Sequence, residues 1–554
     1  MLRDRRHSKQ ETSNEGHRRS VAFRRRENEG RMDRLITARA IRTADGIVGD
    51  SILVKSGVVA AVGARSDLAS PALPEHRYEE AVIVPGLRDA HLHPVAYTAL
   101  LTGVSLKSAA SFPDLAARLA AAAAGSSPGE PIVAMRLDDE TLAERRLPQA
   151  SDLDAWIGDR PALVHRYCGH IAVASSAALA LAGVTSSTAD PPGGLIDRGE
   201  DGAPTGVLRE TAIDLVSAAI RGRVRVDPAR VSAAMRGLAG LGITSIGAMV
   251  RCGEGAWASL GNEALIVAEA GADIPIRIGA YVTADDLGQL GEAVAALEEA
   301  GPNTTWRGVK RFGDGSLGGH TAAMNEPFAD RQDARGLLRL SDLDAEMARA
   351  ALAAGRQVAI HAIGDRACSA VVDLFETLVS AGVAGNHLRL EHASVMTRPD
   401  VARLAATGAI ASVQPPFLTS ETSWLEKRLG ADRLPLTYAF RSLEEAGVTI
   451  AGGSDCPVES PDPWAGMAAA RDRAGIVPAE SLSAERALAL YTTGGATALG
   501  EAEPLAAGSP ADFVVVDRDP VLASPAELRA TVVIDTYVGG EAVEVDTSRS
   551  VWVG

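Results

Sequence analysis

The feature that most constrains this chain is a recurrence. Eight short apolar runs (AVIVPGLRDAHLH, GITSIGAM, IPIRIGAYV, RGVKRFGDG, QVAIHAIG, HLRLEHAS, AIASVQP and VTIAGGSDC) alternate with Ala/Leu/Glu-rich stretches of helical composition. Each run turns polar at its C-terminal end. Parallel strands joined by helical crossovers close, at eight units, into a (β/α)8 barrel whose C-terminal rim carries the polar side chains. The expected fold class is α/β, a TIM-like barrel spanning residues 86–504.

The stretch between the first and second runs, about residues 95–240, is too long for one crossover. It holds its own strand candidates, PIVAMRLDD and RPALVHRYCGH, and a Pro/Gly segment, ADPPGG. It reads as a subdomain inserted after barrel strand 1. Both ends of the chain are β-rich: LITARAIRTADG and SILVKSGVVAAVG near the start, ADFVVVDRDP and ATVVIDTYVGG near the end. Residues 32–85 and 505–554 are therefore expected to form one small composite β-sandwich. Residues 1–31 are rich in Arg, Glu, Ser and Asn with little to bury, and read as a disordered basic tail. Met32 opens the regular strand pattern.

The net charge of −16 speaks against a general affinity for nucleic acid or an anionic membrane. No apolar run approaches the ~20 residues that span a bilayer, and the start lacks the apolar core of a secretory signal. The four cysteines form no Cys-x-x-Cys pair, which excludes a thiolate zinc knuckle or a redox motif and suits a reducing compartment. The expected location is the cytoplasm, with neither nucleic acid nor membrane as partner.

His91 and His93 form a His-x-His at a strand end, and residues i and i+2 of a strand share a face, so both imidazoles can reach one cation. His361, His392 and Asp455 each stand at the C-terminal edge of a different strand candidate. Any one of them reads equally well as a satisfied core histidine or a capping carboxylate. Five such positions agreeing in order and strand context point to a metal centre. Lys310, in RGVKRFGDGS, is awkward as an ammonium among cation-binding groups. On spacing alone it serves to hold a carboxylate such as Asp314 or a substrate anion. After carboxylation by CO2 it would become an anionic oxygen ligand.

The segments VPGLRDAHLHP, VKRFGDGSLGGHTAAM, IHAIGDRA, RLEHAS, GGSDCPVESPDPWAGM and GSPADFVVVDRDP, with DPPGGLIDR and PTGVLRE, resemble the amidohydrolase superfamily, and within it amidohydrolase family 3, which includes N-substituted formamide deformylases. The resemblance runs from about residue 33 to 545. It implies a metal-dependent hydrolase with His91, His93 and Asp455 on one metal, His361 and His392 on a second, and carboxylated Lys310 bridging them. Zinc is the ion such nitrogen and oxygen donors suit, two per chain. A one-ion site on His91, His93, His361 and Asp455 stays open, with His392 bonding the nucleophile and Lys310 uncarboxylated. Where relatives commonly have Arg in the GSLG-x-x-T segment, this chain has His320.

The expected chemistry is attack of a metal-bound hydroxide on a non-peptide amide of a small molecule, an N-substituted formamide being the nearest guess. Asp455 is the catalytic base, and His170 and His320 are candidate substrate-binding residues. Deamination or cyclic-amide opening on the same site is the alternative within enzymes. A non-catalytic scaffold is the alternative of another class, disfavoured because all six positions carry competent ligands. The resemblance also implies a homo-oligomer.

Overall fold

The computed structural model describes residues 33–545, apart from 128, 168, 192, 221–225 and 253–259. The tail assigned to residues 1–31 lies outside them. Among the described residues the strands form three sheets.

The largest is the barrel. Its eight strands are β1 (Leu87–Leu92), β2 (Ile243–Arg251), β3 (Arg277–Thr283), β4 (Thr304–Phe312), β5 (Gln357–Ala362), β6 (Leu388–His392), β7 (Ile410–Val413) and β8 (Thr449–Gly452). Every neighbouring pair is parallel. These are the eight runs read from the sequence, because strands buried on both faces need near-continuous apolar residues. The ring closes where β1 meets the segment after β8: Leu92 pairs in parallel with Cys456, Asp455 N donates to His91 O at 2.7 Å, and His93 N donates to Cys456 O at 2.8 Å.

The first run is two strands. Residues Glu75–Pro85 belong to the terminal sheet and β1 starts at Leu87. The break falls at Gly86, where a Cβ would stand 2.3 Å from Thr244 Oγ1. An unbroken apolar pattern could not reveal that the chain changes sheets there.

The terminal sheet has seven strands in the order 541–542, 533–538, 513–516, 75–85, 34–43, 46–55, 58–63, so both chain ends share it. Ile36, Ile52, Ile83, Phe513 and Val515 form its buried core. The inserted sheet has six strands, from Val104–Ser105 to Pro204–Glu210, mixed parallel and antiparallel. The helices Pro94–Thr102 and Pro228–Ala239 on either side of it contribute Val95, Leu100, Val231 and Met235 to the main core beside the barrel.

The barrel interior below its rim is filled. Arg389 on β6 is fully buried, with its guanidinium 4.4 Å from the Tyr281 ring centroid. It donates to Ala90 O at 2.9 Å, Tyr281 OH at 2.5 Å and Glu391 Oε1 at 2.8 Å. Buried charges of this kind are retained only when paired and hydrogen-bonded. This plug forms the floor of the site above it.

Candidate metal centre

All six candidate ligands line one cavity of ≈ 800 Å³ at the C-terminal mouth of the barrel, together with His170, Glu210, Phe312 and Arg339. His91 lies in β1, with His93 just after it. Lys310 lies in β4, His361 in β5, His392 ends β6, and Asp455 follows β8.

The tightest group is His91, His93 and Asp455, whose ligand atoms lie within 4.8 Å of one another. Asp455 Oδ1 is 3.3 Å from His91 Nε2 and 3.1 Å from His93 Nε2. Lys310 Nζ donates to His91 Nε2 at 3.2 Å. The His392 ring is centred 4.9 Å from that of His91 and 4.4 Å from that of His361. The backbone is bent to achieve this: Asp455, His392 and Ala393 all have positive φ (56°, 75° and 46°), a conformation L residues avoid unless the surroundings enforce it.

Three of the four imidazoles are oriented by a second nitrogen. His91 Nδ1 is 2.7 Å from Glu391 Oε2, His392 Nδ1 is 2.7 Å from Gln414 Oε1, and His361 Nε2 is 2.9 Å from Gly315 O. A ring that donates from one nitrogen is held in the tautomer that offers the other as a lone pair, the usual arrangement of a metal-ligating histidine. The neutral forms are favoured electrostatically as well. Burial lowers the His91 and His392 pKa values well below the ordinary 6.5, and neighbouring cationic groups add to this.

Asp455 is held at about 2: burial opposes ionisation, but His91, His93 and Lys310 outweigh it. Burial brings Lys310 down to about 8 against the pull of Glu391 and Asp455. The donor set therefore fits a divalent cation: imidazoles held toward the neutral form at His91, His361 and His392, an ionised carboxylate and a lysine part-way to its free amine. Asp314, considered as a partner for Lys310, is instead taken up by the backbone N–H groups of Ile363, Gly364 and Ala323 at 2.8–3.0 Å.

Asp89 clamps the barrel seam, accepting His91 N at 3.1 Å, Ser454 N at 3.0 Å and Ser454 Oγ at 2.5 Å. His170 lies on the insertion, and its Nδ1 is 3.0 Å from Glu210 Oε2. Its ring is centred 5.2 Å from His361. With His361, Asp455 and Val458, His170 also lines a second, small cavity that continues to Phe417, Glu421 and Tyr438. Phe417 stacks on His392 with ring centroids 6.1 Å apart.

His320 requires a correction. Its side chain lines neither of these cavities; it bonds Asp330 Oδ1 at 3.1 Å and contacts Arg428. A motif position beside the site told nothing of side-chain direction in a loop with φ of 57° at that residue. Sequence reasoning passed over Glu391, Gln414 and Glu210. Glu391 shares a face of β6 with Arg389 and reaches His91 from the barrel interior, while His392, with a φ of 75°, leaves the regular alternation and packs on the same His91 ring.

A parallel eight-stranded barrel with histidines and an aspartate converging at its C-terminal rim defines the architectural class of metal-dependent hydrolases. The amidohydrolase family profile matches residues 79–544, and the chain belongs to that family. YtcJ of Bacillus subtilis (strain 168), named an amidohydrolase, is 30% identical over 516 residues, covering 89% of this chain and 96% of its own. The Arabidopsis thaliana protein LONG AFTER FAR-RED 3 is 29% identical over 92% of this chain and 91% of its own. The N-substituted formamide deformylase of Arthrobacter pascens is 26% identical over 92% and 97%. Among solved structures, a metal-dependent hydrolase from Pyrococcus horikoshii superposes with a TM-score of 0.69 at 27% identity, covering 89% of this chain and 99% of that one.

Proposed function

We propose that this protein hydrolyses the amide bond of a small molecule, with N-substituted formamides as the nearest substrate class, at a zinc centre held by His91, His93, His361, His392, Asp455 and carboxylated Lys310. The observation that carries the reading is the convergence of His91, His93 and Asp455 within 4.8 Å at the barrel rim, beside Lys310, His361 and His392 in one cavity. Zinc bound there supplies an acidified water and a Lewis acid for the amide carbonyl.

The remaining steps belong to the chain. Asp455, ionised throughout the neutral range, takes a proton from the attacking water on a carboxylate oxygen and returns it to the leaving nitrogen, so that formamide and water give formate and amine. His170, on the wall shared by both cavities, donates a hydrogen bond to the carbonyl oxygen as negative charge develops there. Lys310, with its ammonium weakened to about 8 by burial, has a free-amine fraction at neutral pH. That amine adds to CO2 with loss of a proton and yields a carbamate, whose anionic oxygens would help to hold the metal. The tyrosine- and carboxylate-lined second cavity receives one substituent of the substrate, and the closed floor at Arg389 excludes access from below.

The test is elemental analysis of protein purified without added metal, beside the Lys310→Ala variant, followed by a panel of N-alkyl and N-aryl formamides. Two zinc ions per chain that fall in the variant, with formamide hydrolysis, support the reading. One ion unchanged in the variant favours the mononuclear arrangement and moves deamination ahead. No metal even after reconstitution with zinc overturns the enzymatic reading in favour of a scaffold, the reading that the relationship to LONG AFTER FAR-RED 3 keeps open.

A further inference from the structure

The insertion carries a buried carboxylate that the proposed chemistry has not used. Glu210 ends the strand Pro204–Glu210, and its side chain is 1% exposed. One oxygen, Oε2, receives both His170 Nδ1 at 3.0 Å and Arg339 Nη1 at 2.8 Å. The backbone adds to the link, with Glu210 N donating to His170 O at 3.0 Å and Arg339 N donating to Gly313 O at 2.7 Å. Glu210 takes a φ of 52°, which a non-glycine residue adopts only when the surroundings enforce it. The barrel loop has been cleared for it: a Cβ on Gly315 would stand 2.3 Å from Glu210 Oε1. A merely solvating carboxylate needs none of this.

We infer that Glu210 is a positioning residue for substrate turnover: pinned by Arg339, its carboxylate holds the His170 ring so that Nδ1–H points away from the cavity and Nε2 toward the substrate. A carboxylate behind an imidazole fixes the ring angle and holds a proton on Nδ1, and it stabilises the positive charge the ring carries when both nitrogens donate. The arrangement also makes the insertion part of the site, since Glu210 and His170 come from it while Arg339 comes from the loop after β4. The kinetic part of the test rests on the amide hydrolysis proposed above; the spectroscopic part does not.

The experiment compares metal-loaded wild type with Glu210→Met, which fills the volume without an acceptor, Glu210→Gln, which keeps one, and His170→Asn, with N-butylformamide as substrate. Glu210→Met should lower kcat about 10–100-fold with KM changed less than about threefold, and Glu210→Gln should restore most of the loss. In the His170→Asn background, Glu210→Met should add less than about threefold, because the two act as one unit. Imidazole 15N spectra give the second readout: the His170 resonances, assigned by their loss in His170→Asn, should change tautomer pattern in Glu210→Met alone. Additive losses in the cycle with unchanged His170 resonances would reduce Glu210 to a structural strut and overturn the inference. If Glu210→Met fails to fold because Arg339 is left unpaired, Glu210→Met/Arg339→Met removes both charges and the same resonances decide. If wild type hydrolyses no amide, the functional proposal fails while the spectra still decide the role of Glu210.

Discussion

Glu391 Oε2 stands 2.7 Å from His91 Nδ1, both side chains fully buried, while Glu391 Oε1 accepts Arg389 Nε at 2.8 Å. His91 is thereby fixed with Nε2 toward the cavity. Glu391→Gln should weaken zinc binding about 10–100-fold, measured by competition against a chromogenic chelator. Unchanged affinity would remove His91 from the ligand set.

The structure also predicts what His320 does not do. With its imidazole on Asp330 and Arg428, outside the two cavities described, His320→Asn should change KM for any accepted substrate by less than about threefold. It should lower the melting temperature by only about 1 °C through loss of a partly buried network, because roughly 1 kcal/mol is set against the unfolding entropy of a domain of several hundred residues. A tenfold or larger KM change would return His320 to the substrate site.

Gly86 marks the junction between terminal sheet and barrel, and a Cβ there would sit 2.3 Å from Thr244 Oγ1 and 2.7 Å from its Cγ2. Gly86→Ala should cost about 1–3 kcal/mol in denaturant unfolding. Gly86→Ala/Thr244→Ala should recover part of that, since the clash is with the threonine side chain. Equal destabilisation in both would locate the cost in the backbone.

Glu421 is buried against Tyr438, and burial raises its pKa to about 8, opposed by the Tyr438 hydrogen bond. Between its ordinary value near 4.5 and about 8 the folded state holds a proton that the unfolded chain has released, so stability falls as pH rises through this window. At pH 8 the cost is of the order of a few kcal/mol. Glu421→Gln should unfold at a higher temperature than wild type at pH 8, and the gap should close toward pH 5. A gap independent of pH would show that Glu421 does not titrate there.

The barrel was legible because its signal is redundant. Eight runs had to be apolar to survive burial on both faces, and their polar ends marked the C-terminal rim, so His91, His93, His361, His392 and Asp455 could each be placed at a strand end. The split at Gly86 was hidden because strands of two sheets follow one another without a polar break. His320 illustrates the limit for loops, where no periodicity ties residue number to side-chain direction. Glu210 was beyond reach for a related reason: its partners His170 and Arg339 come from different segments, and only the packed insertion brings them to one oxygen.

The closing seam of the barrel has a consequence for biosynthesis. His91 and His93 are made early and Asp455 late, and the clamp that joins their strands links Asp89 to Ser454 across 365 positions. A nascent chain on the ribosome can offer the first two histidines to a cation, but not the carboxylate that lies within 4.8 Å of them in the folded barrel. A cation shared by all three side chains would thus be held only after near-complete translation, and a chain truncated before β8 lacks Asp455 however much of its barrel has formed.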